Sequence, residues 1–316
     1  MFEIQWYVIL VAFVLDFVVG DPKALPHPVV AMGKAVSFFE NRFRPLFASL
    51  FVSGMVFALF LIAVTFAAGW GIIRISCAVH PVFGTLVQIV LLFFCFSSRT
   101  LEKEAMGVFE ALKTNNIEKS RRQVARIVGR QTRDLDEKGV TRACIETVAE
   151  NFVDGFLSPL CFAVVGGVPA ALAYKMINTL DSMVGYKNEQ YLLFGRASAR
   201  IDDAANFIPA RLSVVVISVC ALVFSVQQGV QALKTGVLQG SRHKSPNAGY
   251  PEAAFAGALN IRLGGPSIYH GLQVDKPFIG LQFQDPQKDR IKQACDLMLL
   301  SSFFATLISC FALFVF

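Results

Sequence analysis

The chain has 316 residues, with 29 Lys and Arg against 23 Asp and Glu, and a formal net charge of +6. It is 54% hydrophobic and 16% charged, whereas soluble domains carry about 25% charged residues, so an ordinary soluble domain is excluded and an integral membrane protein is expected. The basic excess fits Lys and Arg kept on cytoplasmic loops better than nucleic-acid binding, because no Lys/Arg stripe with interleaved aromatics occurs.

The N-terminal run MFEIQWYVILVAFVLDFVVG lacks a basic n-region and carries Glu3 and Asp16. It reads as a retained first membrane helix, not a cleaved signal. Apolar stretches at 4–20, 46–73, 82–97, 156–173, 212–226 and 297–316 are the candidate membrane segments. The second and last are long enough to span, since about 20 residues cross the hydrocarbon core. The second and third are expected to form a tight hairpin through Arg74. Residues 156–173 contain Pro159, Gly166, Gly167 and Pro169, breakers tolerated at membrane depth where the freed backbone faces protein or a cavity. Residues 212–226 are short for a span and read as buried or re-entrant.

Residues 98–150 read as two or three amphipathic helices, with Asn115-Asn116 ending one, Gly129 ending another and Asp134 or Thr141 capping a third. Residues 227–293 are rich in Gly, Pro, Ser and Asn and read as loops. Seven scattered cysteines without a Cys-x-x-Cys pair read as small buried hydrophobes, not as disulfides or a zinc site. The expected fold is therefore an all-α integral membrane protein, a multi-pass helical bundle with re-entrant or short helices. It is expected to be one catalytic domain over 1–316, with a cytoplasmic helical insert at 98–150 and a cytoplasmic loop region at 227–293.

Topology adds a constraint. If 156–173 and 212–226 both cross, the loop 174–211 lies opposite the other two polar regions. That loop bears Lys175, Lys187, Arg196, Arg200 and Arg211, and the positive-inside bias argues against exporting it. Both segments are therefore expected to dip in and return, or to pack at shallow depth, so that all acid-bearing regions face one cytoplasmic site.

A charged side chain at the bilayer centre costs about 3 kcal/mol even on a lenient insertion scale, so acids kept beside apolar segments are the candidates for chemistry. On a helix Asp202, Asp203 and Asn206 share one face and offer hard oxygen donors suited to Mg²⁺; the bland alternative is a helix-capping cluster paired with Arg200 or Arg211. Asn178 and Asp181 repeat the theme, with Lys175 on the same face, as a second metal or phosphate shell or as polar glue between helices. Glu146, Glu150 and Asp154 run at i, i+4 and i+8, either for a cation or amine or as a stripe facing basic residues. Asp21 begins a turn, and His27 is either structural or a proton carrier near neutral pH. Ser245-Pro246-Asn247 through Glu252 could turn backbone N–H groups toward a phosphate, or be a turn-rich loop and nothing more. The chain has no Walker A, Gly-x-Gly-x-x-Gly, His-Glu-x-x-His or Gly-x-Ser-x-Gly.

Together GDPKALPHPVVAMGK, ETVAENFVDGFLSPL, YKMINTLDSMVGYKNEQYLLFG, ARIDDAANFIPARL and SPNAGYPEAAFAGAL resemble the adenosylcobinamide-phosphate synthases, the CbiB/CobD proteins of cobalamin biosynthesis. The resemblance covers nearly the whole chain in order. It departs at Asn260, where glycine is expected, and at Cys161-Phe162, which replaces a more aromatic pair; neither touches an acid. It implies an inner-membrane amide synthase with its site open to the cytoplasm. That enzyme joins adenosylcobyric acid to (R)-1-amino-2-propanol or its O-phosphate, using ATP and Mg²⁺. A homo-oligomer, or a complex with other membrane enzymes of cobalamin assembly, is among the implied partners.

The chemistry then assigns roles. Mg²⁺ is given to Asn178, Asp181, Asp202, Asp203 and Asn206, and phosphate charge to Lys175, Lys187 and Arg211. Glu150 or Asp154 would bind the amine and accept its proton. Asp21 and His27, counted with the catalytic residues, and the 245–252 loop, whose Ser245 and Asn247 would bind the nucleotide, would close the site. Two other classes compete: a transporter of a small polar solute, suggested by broken helices and intramembrane acids but lacking an inverted repeat, and an AmpE-like membrane sensor, which would not require the Asp202-Asp203-x-x-Asn206 cluster.

Overall fold

The computed structural model describes residues 4–22, 27–186, 188–269 and 272–315. Lys187 lies outside the described residues. The chain folds as two compact units, each discontinuous in sequence: unit 1 is Met1–Ser97, Asp154–Asn206 and Thr306–Phe316, and unit 2 is Ser98–Val153 and Phe207–Ala305.

Unit 1 holds α1 (Trp6–Val19), α2 (Pro28–Phe43), α3 (Leu50–Val79) and α4 (Pro81–Phe93). The apolar run of α3 leaves Leu59, Val64, Trp70, Ile72, Ile75 and Val79 exposed, a surface suited to lipid. Small residues let its other side approach closely: a Cβ at Gly54 would strike the Phe194 carbonyl, and one at Gly69 would meet Leu172. The turn after α3 falls at His80-Pro81, not at Arg74, which stays inside the helix with its guanidinium near Trp70. His80 Nδ1 accepts the Val82 N–H at 3.2 Å and Pro81 occupies the first helical turn, where its missing N–H costs nothing.

Among the described residues four helices are long and apolar enough to cross a membrane, Leu50–Val79, Pro81–Lys113, Glu137–Val184 and Asp289–Val315; a fifth is gained if the pair Arg196–Ala205 and Phe207–Ala221, broken at Asn206, counts as one. Two of the helices bear on the re-entrant expectation. One is Ser158–Val184, labelled α8 once α5 (Ser98–Lys113), α6 (Ile117–Val124) and α7 (Glu137–Phe152) are numbered. It is interrupted at Gly166 and Gly167, the latter at φ 70°, and Pro169 opens its second half. The other is α9 (Arg196–Ala205), which stops at Asn206 before α10 (Phe207–Ala221).

Unit 2 contains the 98–150 region as three helices. Asn115, at φ 54°, ends α5 and Asn116 caps α6. The cap of α7 is Asp136, which accepts the Gly139 N–H at 2.7 Å, not Asp134 or Thr141. α7 buries Val140, Ala143, Cys144, Ile145, Val148, Ala149 and Phe152, so it is a core helix and not a solvated surface element. The 227–293 region is more ordered than a loop. It contains α11 (Val226–Gln239), α12 (Gly249–Leu259) and two short antiparallel ribbons, Leu263–Gly264 with Phe278–Ile279 and Ser267–Tyr269 with Leu272–Val274. Asn260 ends α12 at φ 53°, ψ 47°, taking the left-handed role that glycine usually fills. Helix α13 (Asp289–Val315) closes the chain. All seven cysteines are free thiols.

Candidate active site

Unit 1 gathers polar residues from four separated segments. Lys175 on α8 is buried, and the charges of Asp154, Asp21 and Asp16 all act on it. Asp16 is fully buried on α1, a placement that a carboxylate tolerates when a cation faces it. α1 ends at Gly20, φ 67°, and the chain turns directly into Asp21. Asp21 Oδ1 lies 3.4 Å from His27 Nε2. His27 Nδ1 accepts the Val29 N–H at 3.2 Å and caps α2, so the ring proton sits on Nε2 and faces Asp21. The ring also packs edge-on against Phe94, with centroids 4.9 Å apart.

Asp154 lies in the π-helical turn Val153–Leu157 that precedes α8, a distortion that recurs at functional sites. Its charge and that of Asp202 both reach the Tyr174 hydroxyl. Around that hydroxyl a closed network forms. Asn206 Oδ1 accepts from Ser158 Oγ at 2.6 Å and from Tyr174 OH at 2.9 Å, while Asn206 Nδ2 donates to Asp202 Oδ2 at 3.0 Å. Ser158, Tyr174 and Asn206 are all buried.

This network defines what the expected metal set can do. Both acceptor positions of the Asn206 carbonyl oxygen are taken here by Ser158 and Tyr174, so Asn206 ties α8 to α9. Asp202 and Asp203 are half-buried at the end of α9. That places them at a helix C-terminus, not in the capping position of the bland alternative. Asp181 Oδ1 folds over Gly185, where a Cβ would collide with it, and Asn178 is half-buried on the preceding turn. Among the described residues no three His, Cys, Asp or Glu side chains are grouped as a metal ion needs. The donor set therefore forms no ready-made shell. It fits an ion that brings most of its ligands with it, as Mg²⁺ on nucleotide phosphates does with one or two carboxylates.

Unit 2 has a second centre. Glu146 Oε2 pairs with Arg130, and both side chains are 8% exposed. Glu146 Oε1 accepts the Gly264 N–H at 2.7 Å. Gly264 has φ +78°, and a Cβ there would strike the Pro277 carbonyl, so only glycine allows this approach. Glu150, one turn further along α7, is exposed and in electrostatic reach of Lys276, Glu146 and Arg130. On α12, Glu252 Oε1 lies 4.0 Å from His243 Nε2, the two side chains 4% and 7% exposed. Burial holds the Glu252 carboxyl well above the usual range; the charges of Glu146 and Glu150 add to this, and Lys276 and Arg130 oppose it. Burial pulls His243 down to about 4, with Lys276 acting in the same direction.

The residues expected to hold phosphate in this unit are engaged with one another. Ser245 Oγ accepts the N–H groups of Asn247 at 3.3 Å and Ala248 at 3.2 Å, closing the turn that starts α12. Asn247 Oδ1 accepts from Arg211 at 3.3 Å. The Arg211 guanidinium donates to the Phe207 carbonyl at 2.6 Å and stacks over Phe207 and Tyr250.

Sequence reasoning passed over Ser158, Tyr174, Arg130, His243 and Lys276, and kept Glu146 and Glu252 only as parts of motifs. For Ser158, Tyr174 and Glu252 a signal existed, because each stands inside a segment already singled out. Arg130, His243 and Lys276 stand in polar stretches with no local pattern.

A family model described as "CobD/Cbib protein" matches residues 9–298. A cobalamin biosynthesis protein CobD of Geobacter metallireducens is 46% identical over 89% of this chain and 87% of its own. The CobD of Klebsiella pneumoniae is 43% identical over 92% of each chain, and the cobalamin biosynthesis protein CbiB of Salmonella typhimurium is 41% identical over 92% of each. No solved structure matches.

Proposed function

The chain belongs to the CobD/CbiB family of cobalamin biosynthesis proteins, and from that premise we propose that it is an ATP-dependent amide synthase of the cell inner membrane, with its site open to the cytoplasm. It joins the free propionate of adenosylcobyric acid to the amine of (R)-1-amino-2-propanol or of its O-phosphate. The observation that carries this reading is the convergence of four motif segments on Lys175 and Tyr174 in unit 1. Charges kept there at such cost point to chemistry on a charged substrate.

A carboxylate does not condense with an amine in water, because it has no leaving group. Transfer of the terminal phosphoryl group of ATP to a propionate oxygen breaks the bond to ADP and creates an acyl phosphate. The amine lone pair attacks the acyl carbon, the carbon–oxygen bond to phosphate breaks, and inorganic phosphate departs. The amine nitrogen gives up its proton to a base. Lys175 meets the negative oxygens as the phosphoryl group moves. Asp202 and Asp203 are the carboxylates for the Mg²⁺ that enters as part of the nucleotide co-substrate. Asp154, half-buried and in electrostatic reach of Lys175, is the unit 1 base, and Asp21 orients His27.

The test is ATP consumption by the purified protein in nanodiscs. It should require both a corrinoid carboxylate and the amine, and yield one amide and one ADP per turnover by mass spectrometry. Running free and phosphorylated amine in parallel identifies the better acceptor. D154N and K175M should each lower turnover at least a hundredfold while the protein still inserts. ATP use indifferent to the corrinoid, or flux of the amine across the bilayer without amide formation, would refute the proposal.

A further inference from the structure

We infer that the buried centre of unit 2 around Glu252 and His243 binds the amine substrate, recognising a primary ammonium group together with an oxygen on the neighbouring carbon. The ligand class is a vicinal amino alcohol or its phosphate ester. The inference rests on the amide-synthase reading for the fate of this ligand, not for its recognition.

Charge gives the first argument. The groups facing Glu252 are Glu146 and Glu150 from α7, Arg130, Lys276 and His243; Arg211 of α10 is turned to Asn247 and Tyr250. Arg130 is committed to Glu146. Glu150 and Glu252 therefore share Lys276 as their cation, and one ammonium group completes the balance. Until it arrives, burial, reinforced by the neighbouring carboxylates, holds the Glu252 carboxyl above the usual carboxylate range and so favours its protonated form. An arriving ammonium takes the place of that proton.

Hydrogen bonding gives the second argument, and it is independent of the first. His243 Nδ1 is filled by the Ser245 N–H at 3.0 Å, which puts the ring proton on Nε2. That nitrogen is buried and has no hydrogen-bond acceptor among the described residues, and Glu252 Oε1 at 4.0 Å is out of reach. Buried donors are rarely left this way. An oxygen seated beside both groups, about 2.8 Å from each, would accept from His243 Nε2. If that oxygen is a hydroxyl, it would also donate to Glu252. The pair is held at this spacing by close backbone packing, since a Cβ at Gly249 would strike the Gly240 carbonyl and His243 Cβ.

The experiment needs neither ATP nor corrinoid. Protein in nanodiscs is titrated calorimetrically with 1-amino-2-propanol, with propylamine, which lacks the hydroxyl, and with 2-propanol, which lacks the ammonium, in two buffers of different ionisation heat. The amino alcohol should bind at least tenfold more tightly than propylamine, release about one proton to the buffer, and outcompete 2-propanol entirely. E252Q, an isosteric change, should weaken both amines tenfold or more. H243F should bring the amino alcohol down to the affinity of propylamine and leave propylamine unchanged. Equal binding of the amino alcohol by wild type and E252Q, or no distinction between the two amines, overturns the inference. Amide formation with E252Q binding the amine normally would sink this site and spare the synthase reading. Amine binding of the expected pattern without corrinoid-dependent ATP use would do the reverse.

Discussion

Replacing Asn206 by leucine separates an organising role from a metal-binding one. Leucine has a similar shape but leaves Ser158 Oγ and Tyr174 OH without the acceptor they share, and removes the Asn206 Nδ2 donor from Asp202 Oδ2. An orphaned buried polar group costs about 1–3 kcal/mol, so the two hydroxyls together cost about 2–6 kcal/mol. Ser158 is able to turn back to a carbonyl of the preceding helical turn, which places the expected loss in the lower half, about 2–4 kcal/mol. The assay is unfolding of the detergent-solubilised protein with and without Mg²⁺, for N206L, S158A and the double variant. N206L should lose stability equally in both conditions. The double variant should cost less than the sum of the singles by about 1 kcal/mol, because a hydroxyl already removed needs no acceptor. An N206L protein as stable as wild type but demanding more Mg²⁺ for turnover would refute this account and restore Asn206 to the metal shell.

Two further outcomes follow from single side chains. His243 is held near 4 against an ordinary 6.5, so its proton binds the unfolded chain better. Stability is therefore complete above about pH 6.5 and falls as the pH drops toward 4, by at most about 3 kcal/mol, and H243Q should flatten the acid side of a thermal-unfolding profile. Asn260, left-handed at the end of α12, should accept glycine with little change, whereas N260V should lower the unfolding midpoint by about 1–2 kcal/mol equivalent, because a branched side chain resists that conformation.

The membrane helices were legible because their composition leaves few alternatives: each of the six apolar stretches contains or overlaps a helix. Breakers were legible for the same local reason, since Gly167 and Asn115 each adopt the left-handed backbone at which a helix stops, a conformation open to few other residues. α12 was not. Its sequence GYPEAAFAGAL has a proline and two glycines and no apolar stripe, and all but one residue from Gly249 to Leu259 is buried. A helix enclosed on all sides shows no periodicity, so its turn-like composition read as a loop. The ribbons at 263–279 were illegible because two- and three-residue strands are set by their partners, not by propensity.

Helical spacing groups acids by face, yet the partners that decide their roles come from elsewhere in the chain. Asn206 meets Ser158 and Tyr174 across separations of 48 and 32 residues, and Glu146 meets Gly264 across 118. The stripe Glu146, Glu150, Asp154 shows the consequence. Its i, i+4, i+8 spacing makes one face only if the helix stays α, and residues 153–157 form a π-helical turn instead. Glu146 and Glu150 fall in unit 2 and interact with Arg130 and Lys276, while Asp154 falls in unit 1 and interacts with Lys175. The sequence left Glu150 and Asp154 as equal candidates for the amine, and what distinguishes them is their partners. Asp154 acts with Asp16 and Asp21 on Lys175, whereas Glu150 and Glu252 lie in electrostatic reach of Lys276 and Arg130, so the D154N and E252Q variants, and not the helical spacing, decide which carboxylate serves the amine.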